Sequence, residues 1–422
     1  MHKIVLKPHD KSKIYWILYL VSLFSMVFKL NIATVLLFVI TTIILSIKKP
    51  VFAMSSIQCA LIANTFLEKY YFLNAILCLC IIAICFLKIK RFRYVKKEEF
   101  PVFAVMLYSI IISYLNGYGS ILILGMILTM IILCRVLILN DCISMKEVVF
   151  SLATVSIFSG VVGLMNESYG LSYGAGSVSR FLSSYGDPNF FCMFSVATIV
   201  GLMYLAKNNK YVYVLILIIS IFCTLTFSKS LLLLVGLNIL VFLWKSSIEV
   251  SKKIKLCFII FIGLVLLNWV LTNLYDQNII LNYIYRFTKE ASGRNVIDSL
   301  TTGRNNIQMN FLQYFFNKQP IMKMLFGNGY IGTSSIAPMI GLSVETTHMV
   351  YLQILMDFGI VGTMLYAYIF IKGFLCAGMV QRQMLLTFFV AMFFLSWQFS
   401  VPYFSFYLLL YNDKSIDDGN ER

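Results

Sequence analysis

Charge is scarce in this sequence of 422 residues. Asp, Glu, Lys and Arg make up only 12% of it, against about 25% in an average soluble domain. That scarcity argues against the two or three soluble domains that length alone would suggest. Histidine is nearly absent, with three residues in all: His2, His9 and His348. No cysteine pair stands at zinc spacing in a polar context, which argues against a metal-ligating role. Most of the ten cysteines lie inside apolar runs, Cys78, Cys80 and Cys85 in one of them, and read as small buried hydrophobes. No small-residue cleavage site follows the basic start "MHKIVLKPHDKSK", so it is expected to be a retained cytoplasmic tail rather than a signal peptide. No internal repeat is visible, which argues against a transporter built of matching inverted halves.

What is abundant is apolar surface, at 60% of residues. Apolar runs of roughly 15 to 22 residues recur between short polar breaks, each near the length that crosses about 30 Å of hydrocarbon. The runs are Ile14–Phe28, Ile32–Ile47, Val51–Leu67, Tyr71–Leu87, Pro101–Leu115, Ser120–Leu139 and Val148–Met165. They continue with Asn189–Ala206, Tyr211–Ser228, Ser230–Trp244, Leu256–Leu274 and His348–Ile371, then one long or two short segments between Leu385 and Tyr411. The fold class expected is all-α, a polytopic integral membrane bundle of about 12 to 14 transmembrane helices. It forms one transmembrane domain over residues 1–422, with loops at 166–188 and 275–347. The larger loop is expected to carry short amphipathic helices.

The net charge of +16 does not signal nucleic acid. Its lysines and arginines sit in short clusters between apolar runs, such as "KIKRFRYVKK", "KNNK" and "KSSIEVSKKIK". With the N-terminus inside, these clusters fall on the cytoplasmic side, as basic loops do. Both long polar loops then face outward.

Four basic groups stand at that outer face. Arg180 precedes "GDPN", where Gly186 and Pro188 make a turn and Asp187 or Asn189 can cap the next helix. Lys229 stands between two apolar runs with almost no loop. A cation at mid-membrane costs roughly 2.5 to 3.5 kcal/mol on insertion scales. Lys229 therefore reads either as a snorkeler at the interface or as an anion ligand facing the bundle interior. Arg304, after Gly303, opens an amphipathic stretch in which Ile307, Phe311, Leu312 and Phe315 recur at helical spacing. An arginine at a helix start suits an anion such as phosphate. His348 follows Glu345 by three residues at the entrance of a span. It reads as a capping residue or as a general base, since imidazole titrates near neutrality.

The four blocks "SRFLSSYGDPNFF", "LTFSKSLLLLVG", "TTGRNNIQMNFLQYFFNKQPIMKMLFGNGY" and "ETTHMVYLQILMDFGIVG" occur in that order. In this the chain resembles the O-antigen polymerase and O-antigen ligase family of bacterial membrane glycosyltransferases, over roughly Arg180 to Gly362. The third block is like the family's Gly-Arg, helix, Pro and Gly-x-Gly turn, here Gly303, Arg304, Pro320, Gly327 and Gly329. The fourth is like its His followed by Gly-x-x-Gly, here His348, Gly359 and Gly362. Lys229 departs from the pattern, where arginine is usual, and lacks the bidentate fork.

The resemblance implies glycan transfer from an undecaprenyl pyrophosphate carrier to a sugar hydroxyl, with no cofactor or metal. Arg180, Lys229 and Arg304 would hold the pyrophosphate and His348 would activate the acceptor. Glu345, Asp187, Asn189, Gly303, Gly327 and Gly329 would support them. No pair of outer carboxylates is evident, which favours a single inverting displacement over a covalent intermediate. Polymerisation of lipid-linked repeat units into O-antigen or capsular polysaccharide is the leading expectation. A ligase acting on lipid A core is the alternative within the class, and a flippase or transporter of lipid-linked oligosaccharide the alternative outside it. Partners expected are the lipid-linked donor and acceptor, membrane lipid and a chain-length regulator protein. The location expected is the bacterial cytoplasmic membrane, with the site on its outer face.

Overall fold

A computed structural model describes residues 8–27, 32–62, 71–88, 100–117, 144–165, 181–184, 187–205, 211–245, 304–343 and 346–395, with single residues between 125 and 132 and between 250 and 269. Every regular element among them is a helix. The first nine are α1 (Pro8–Val27), α2 (Ile32–Lys48), α3 (Pro50–Ile62), α4 (Tyr71–Lys88), α5 (Phe100–Leu115), α6 (Met145–Met165), α7 (Pro188–Leu205), α8 (Val212–Leu225) and α9 (Lys229–Lys245). After a long interval come α10 (Arg304–Asn317), α11 (Ile321–Phe326), α12 (Thr333–Met339), α13 (Val350–Leu375) and α14 (Met379–Ala391). Apart from those single residues, the expected spans Ser120–Leu139 and Leu256–Leu274 lie outside the described residues, as do the 275–347 loop up to Gly303 and everything after Leu395.

Among the described residues, three helices are long and apolar enough to cross a membrane: α6, α7 and α13, with mean hydropathies of 2.1, 1.6 and 1.9. Shorter apolar helices accompany them, among them α2, α5 and α8. Trp16, Leu20, Leu36, Ile40, Leu107, Leu217, Leu240, Met364 and Ile371 are exposed on their outer faces. A soluble monomer rarely shows so much contiguous apolar surface; hydrocarbon solvates it without cost.

Helix α7 is the hub. It packs against α6, α8, α9 and α14, and Phe191, Cys192, Met193, Phe194, Ala197 and Leu202 are buried around its circumference. A helix apolar on every side must be covered on every side. Its companion α6 starts with a capping box: Glu147 accepts from the Ser144 backbone N–H at 2.9 Å, and Ser144 Oγ accepts from the Glu147 N–H at 3.3 Å. Polar groups tie α7, α9 and α14 together inside this core. Tyr204 donates to Gln383 Oε1 at 2.6 Å, Gln383 Nε2 donates to the Asn238 carbonyl at 3.1 Å, and Asn238 Nδ2 donates to Thr387 Oγ1 at 2.9 Å. Four of the six described cysteines, Cys59, Cys78, Cys192 and Cys223, are buried as expected.

The amphipathic stretch forms α10, and it lies against the bundle. Phe311 and Phe315 are buried with Leu352 and Met356 of α13 and Ile336 of α12, while Ile307 and Leu312 pack beside them. Two boundaries differ from expectation. The segment expected from Leu385 begins at Met379 and ends at Ala391, so Met392–Leu395 turns back toward α13. Helix α13 is also not one straight span, because Gly359 has φ +67° and breaks it.

The break serves a close approach. A Cβ on Gly359 would stand 2.4 Å from the Leu325 carbonyl oxygen, and one on Gly327 (φ +92°) 2.2 Å from that of Asp357. The 327–332 loop is thus laid directly on the α13 backbone, where only glycine fits on both sides. Tyr108 of α5 closes the contact, its hydroxyl 2.9 Å from the Phe358 carbonyl and 3.1 Å from that of Phe326. Gly359→Ala should destabilise the protein by about 3 kcal/mol or more, because strain and clash add. Thermal unfolding in detergent measures it, and a melting temperature unchanged within a degree would refute the clash.

Candidate functional site

The expected site residues sit at helix beginnings. Asp187 precedes α7 and is its cap: Oδ1 accepts from the backbone N–H of Asn189 at 2.6 Å and of Phe190 at 3.4 Å. Pro188 occupies the first helical position, where its missing N–H is not needed. Of the two capping candidates, Asp187 does the work and Asn189 does something else. Asn189 Oδ1 accepts from Ser228 Oγ at 2.6 Å and lies 3.3 Å from Ser230 Oγ. These two serines flank Lys229, the first residue of α9. Asn189 therefore binds the start of α7 to the start of α9 and fixes the backbone that carries the lysine.

Arg304 is the first residue of α10. It reaches across to the turn after α14, where Nη1 donates to the Phe394 carbonyl at 2.6 Å. The same turn receives α13, since the Val350 N–H donates to the Met392 carbonyl at 2.8 Å. The turn after α14 thus supplies carbonyl partners to Arg304 and to the start of α13.

His348 stands two residues before α13, half-buried, with φ +53°. It does not cap the helix; Met349, in extended conformation, holds that position. Burial, and secondly the charge of Arg304, push the imidazole down to about 4, while the charge of Asp187 acts in the opposite sense. The expectation of a group titrating near neutrality is corrected accordingly: an imidazole withdrawn from water beside a guanidinium loses its proton more easily. The charges of Arg304 and Asp187 thus both reach His348, although the three residues come from separate stretches of sequence.

The starts of α7, α9, α10 and α13 thus carry Asp187, Lys229, Arg304 and His348, and α7 is joined directly to α9. Helix N-termini present free backbone N–H groups and the positive end of the dipole. An anion is the ligand such an arrangement accommodates. Strain is concentrated here as well. Among the described residues the non-glycine positions with positive φ are Ser183, Phe227, Ile331 and His348. Ser183, Phe227 and His348 lie within the quoted sequence blocks and Ile331 directly follows the third, and each conformation costs about 1 to 3 kcal/mol that the surroundings must impose.

Gly327 and Gly329 (φ +88°) shape the loop that docks on α13. The Gly329 N–H donates to the Asp357 carbonyl at 2.8 Å, and the Asn328 side chain donates to that of Met356 at 2.7 Å. Arg180, Gly303 and Glu345 lie outside the described residues. Among the described residues no three His, Cys, Asp or Glu side chains gather as a metal site would require.

Residues that no motif announced complete the site. Gln353 and Asp357 are both buried in α13, and Thr347 and Thr333 are buried beside them. Their signal in the sequence is a polar pair four residues apart, on one helical face, inside an otherwise apolar run. Ser228, Ser230 and the Phe394 carbonyl have no comparable signal.

In comparisons with known proteins, no family model matches the chain, and no curated protein or solved structure matches it either.

Two substitutions should move the titration of His348 in opposite directions. Arg304→Gln removes a repelling cation and should raise the midpoint. Asp187→Asn keeps a capping side chain but removes a stabilising anion, and should lower it. With His2 and His9 replaced, imidazole NMR reads His348 alone. Shifts of the same sign in both variants would refute this electrostatic arrangement.

Proposed function

We propose that this protein is a membrane glycosyltransferase that joins oligosaccharide units carried on undecaprenyl pyrophosphate into O-antigen or capsular polysaccharide. The observation that carries the reading is that Asn189 binds the Lys229 turn to the helix that Asp187 caps, while the charges of Asp187 and Arg304 both act on His348. Such a place suits a pyrophosphate on one side and a hydroxyl losing its proton on the other. The order of the four sequence blocks and their resemblance to O-antigen polymerases and ligases support the same reading. The protein is proposed to be a polytopic bundle of the cytoplasmic membrane, with its N-terminus inside and this site on the outer face.

In the proposed step the acceptor sugar hydroxyl attacks the anomeric carbon of the lipid-linked donor. The bond from that carbon to the pyrophosphate oxygen breaks, and the electron pair leaves with the pyrophosphate. Arg304 and Lys229 stabilise the charge that develops on it. Arg180 is proposed to join them. His348 takes the hydroxyl proton at an imidazole nitrogen. One displacement inverts the anomeric configuration.

The depressed titration of His348 suits a base in one respect: at neutral pH it is already unprotonated. It costs basicity in another, and substrate offsets that cost. A bound pyrophosphate neutralises Arg304, removes the repulsion and makes the imidazole a stronger base. His348 is thus expected to be weakly basic in the empty enzyme and more strongly basic with donor bound.

His348→Ala should abolish polymer while lipid-linked single units accumulate, still exposed on the outer face. Units trapped inside would instead support a flippase, and polymer of normal length would end the general-base assignment. The pH profile has a definite sign. A base with a lowered pKa stays competent as pH falls, so kcat/KM should hold through pH 5 and fail near pH 4, following the about 4 of His348. The acid limb of kcat, which reports the donor complex, should lie at higher pH. Product from defined lipid-linked units should show inverted anomeric configuration; retention would rule out a single displacement.

A further inference from the structure

The turn that carries His348 is not held by its own sequence. Its backbone adopts φ +53°, a conformation an unbranched chain abandons unless something imposes it. The neighbouring Thr347 supplies the grip. Its backbone N–H donates to Gln353 Oε1 at 3.2 Å, and its hydroxyl lies 3.3 Å from the same oxygen and 2.8 Å from the Met349 carbonyl. The Met349 N–H donates to Thr347 Oγ1 at 3.3 Å, closing the turn.

Gln353 is itself oriented from the other end. Its Nε2 donates to both carboxylate oxygens of Asp357, at 3.1 and 3.0 Å, and to Thr333 Oγ1 at 2.6 Å. Asp357 also accepts from the Ile331 N–H at 3.3 Å. Gln353 and Asp357 are each only 1% exposed, so no water is at hand to substitute for a lost partner. The carboxylate accepts only, which obliges the amide to point its nitrogen at Asp357 and its oxygen at Thr347. A flipped amide would oppose oxygen to carboxylate and nitrogen to the Thr347 N–H.

We propose that Gln353, oriented by Asp357, is the positioning residue that holds the His348 turn in its working geometry. The Asp357 carboxylate selects the amide orientation, the amide oxygen selects the Thr347 conformation, and Thr347 presents His348. This rests on the reading of His348 as the base, but its structural half is independent of that reading. Among the described residues, Arg304 of α10 and the Asp187 cap of α7 are the charged groups whose influence reaches the imidazole, and Gln353 sets where the imidazole stands relative to them.

The test reads both geometry and turnover, in full-length protein in nanodiscs with His2 and His9 replaced. Gln353→Met keeps length but removes both hydrogen-bonding ends. It should raise the His348 NMR titration midpoint by at least one pH unit, as the turn opens to water. It should lower kcat for transfer from lipid-linked units about 100-fold, with KM little changed, as misplacing a catalytic group does. Where that variant does not fold, Thr347→Val, which removes only the hydroxyl, should shift both readouts the same way by less. The double variant Gln353→Glu with Asp357→Asn reverses the polarity of the pair without changing net charge. It should restore kcat to within about ten-fold, because acceptor still faces Thr347 and donor faces acceptor. It should also raise the midpoint above the original, since the negative charge moves one hydrogen bond nearer His348. A role confined to folding would restore activity without that rise, and would overturn the proposal. So would loss of activity in Gln353→Met with an unmoved midpoint. If the midpoints move as stated but no protein, including the unaltered one, transfers glycan, the positioning stands and the transferase reading falls.

Discussion

The buried carboxylate of Asp357 is the constraint from which much of the site follows. A charge-bearing group in the middle of an apolar helix must find donors, because neither lipid nor packed side chains supply them. It finds them in Gln353 and in the backbone of the 327–332 loop. That requirement draws the loop onto α13, and the contact is close enough that Gly327 and Gly359 admit no side chain. It also turns the Gln353 amide, which in turn holds Thr347. One expensive group thus brings three pieces of chain into register.

Electrostatics does the complementary work. Helix starts are positive ends, and gathering several of them would be unfavourable without anions to balance them. Asp187 supplies one by capping α7, and the early end of α14 supplies carbonyl oxygens for Arg304 and for the first N–H of α13. The His348 imidazole is unprotonated at neutral pH because burial and, secondly, the charge of Arg304 lower its pKa. In the proposed reaction, pyrophosphate binding and base strength would be coupled through this one guanidinium.

Much of the helical architecture was legible in composition and periodicity. The apolar runs at Val148–Met165 and Asn189–Ala206 correspond to α6 and α7 within a few residues, and the spacing of Phe311 and Phe315 located the buried face of α10. The candidate residues were legible because each is a polar exception in apolar surroundings. The breaks were harder to see. Nothing in "MDFGIVG" distinguishes a glycine that bends a helix from one that merely sits in it, and nothing in "ETTHM" separates a cap from a strained turn. Gln353 and Asp357 were visible as a polar pair, but Thr333 and Ile331, their partners from outside the α13 region, lie 20 or more residues away and could not be read from it.

The sequence by itself determined which segments are helical, how apolar they are and which few side chains stand out from that background. These are properties of short windows, governed by local propensity and by the cost of leaving apolar surface in water or polar groups in hydrocarbon. Only the tertiary structure decided that Asp187 caps while Asn189 binds two serines, that the charge of Arg304 reaches His348, and that Asp357 faces the Gln353 amide. Those outcomes depend on which distant backbone groups arrive within hydrogen-bonding range, and periodicity along one segment carries no record of what packs against it.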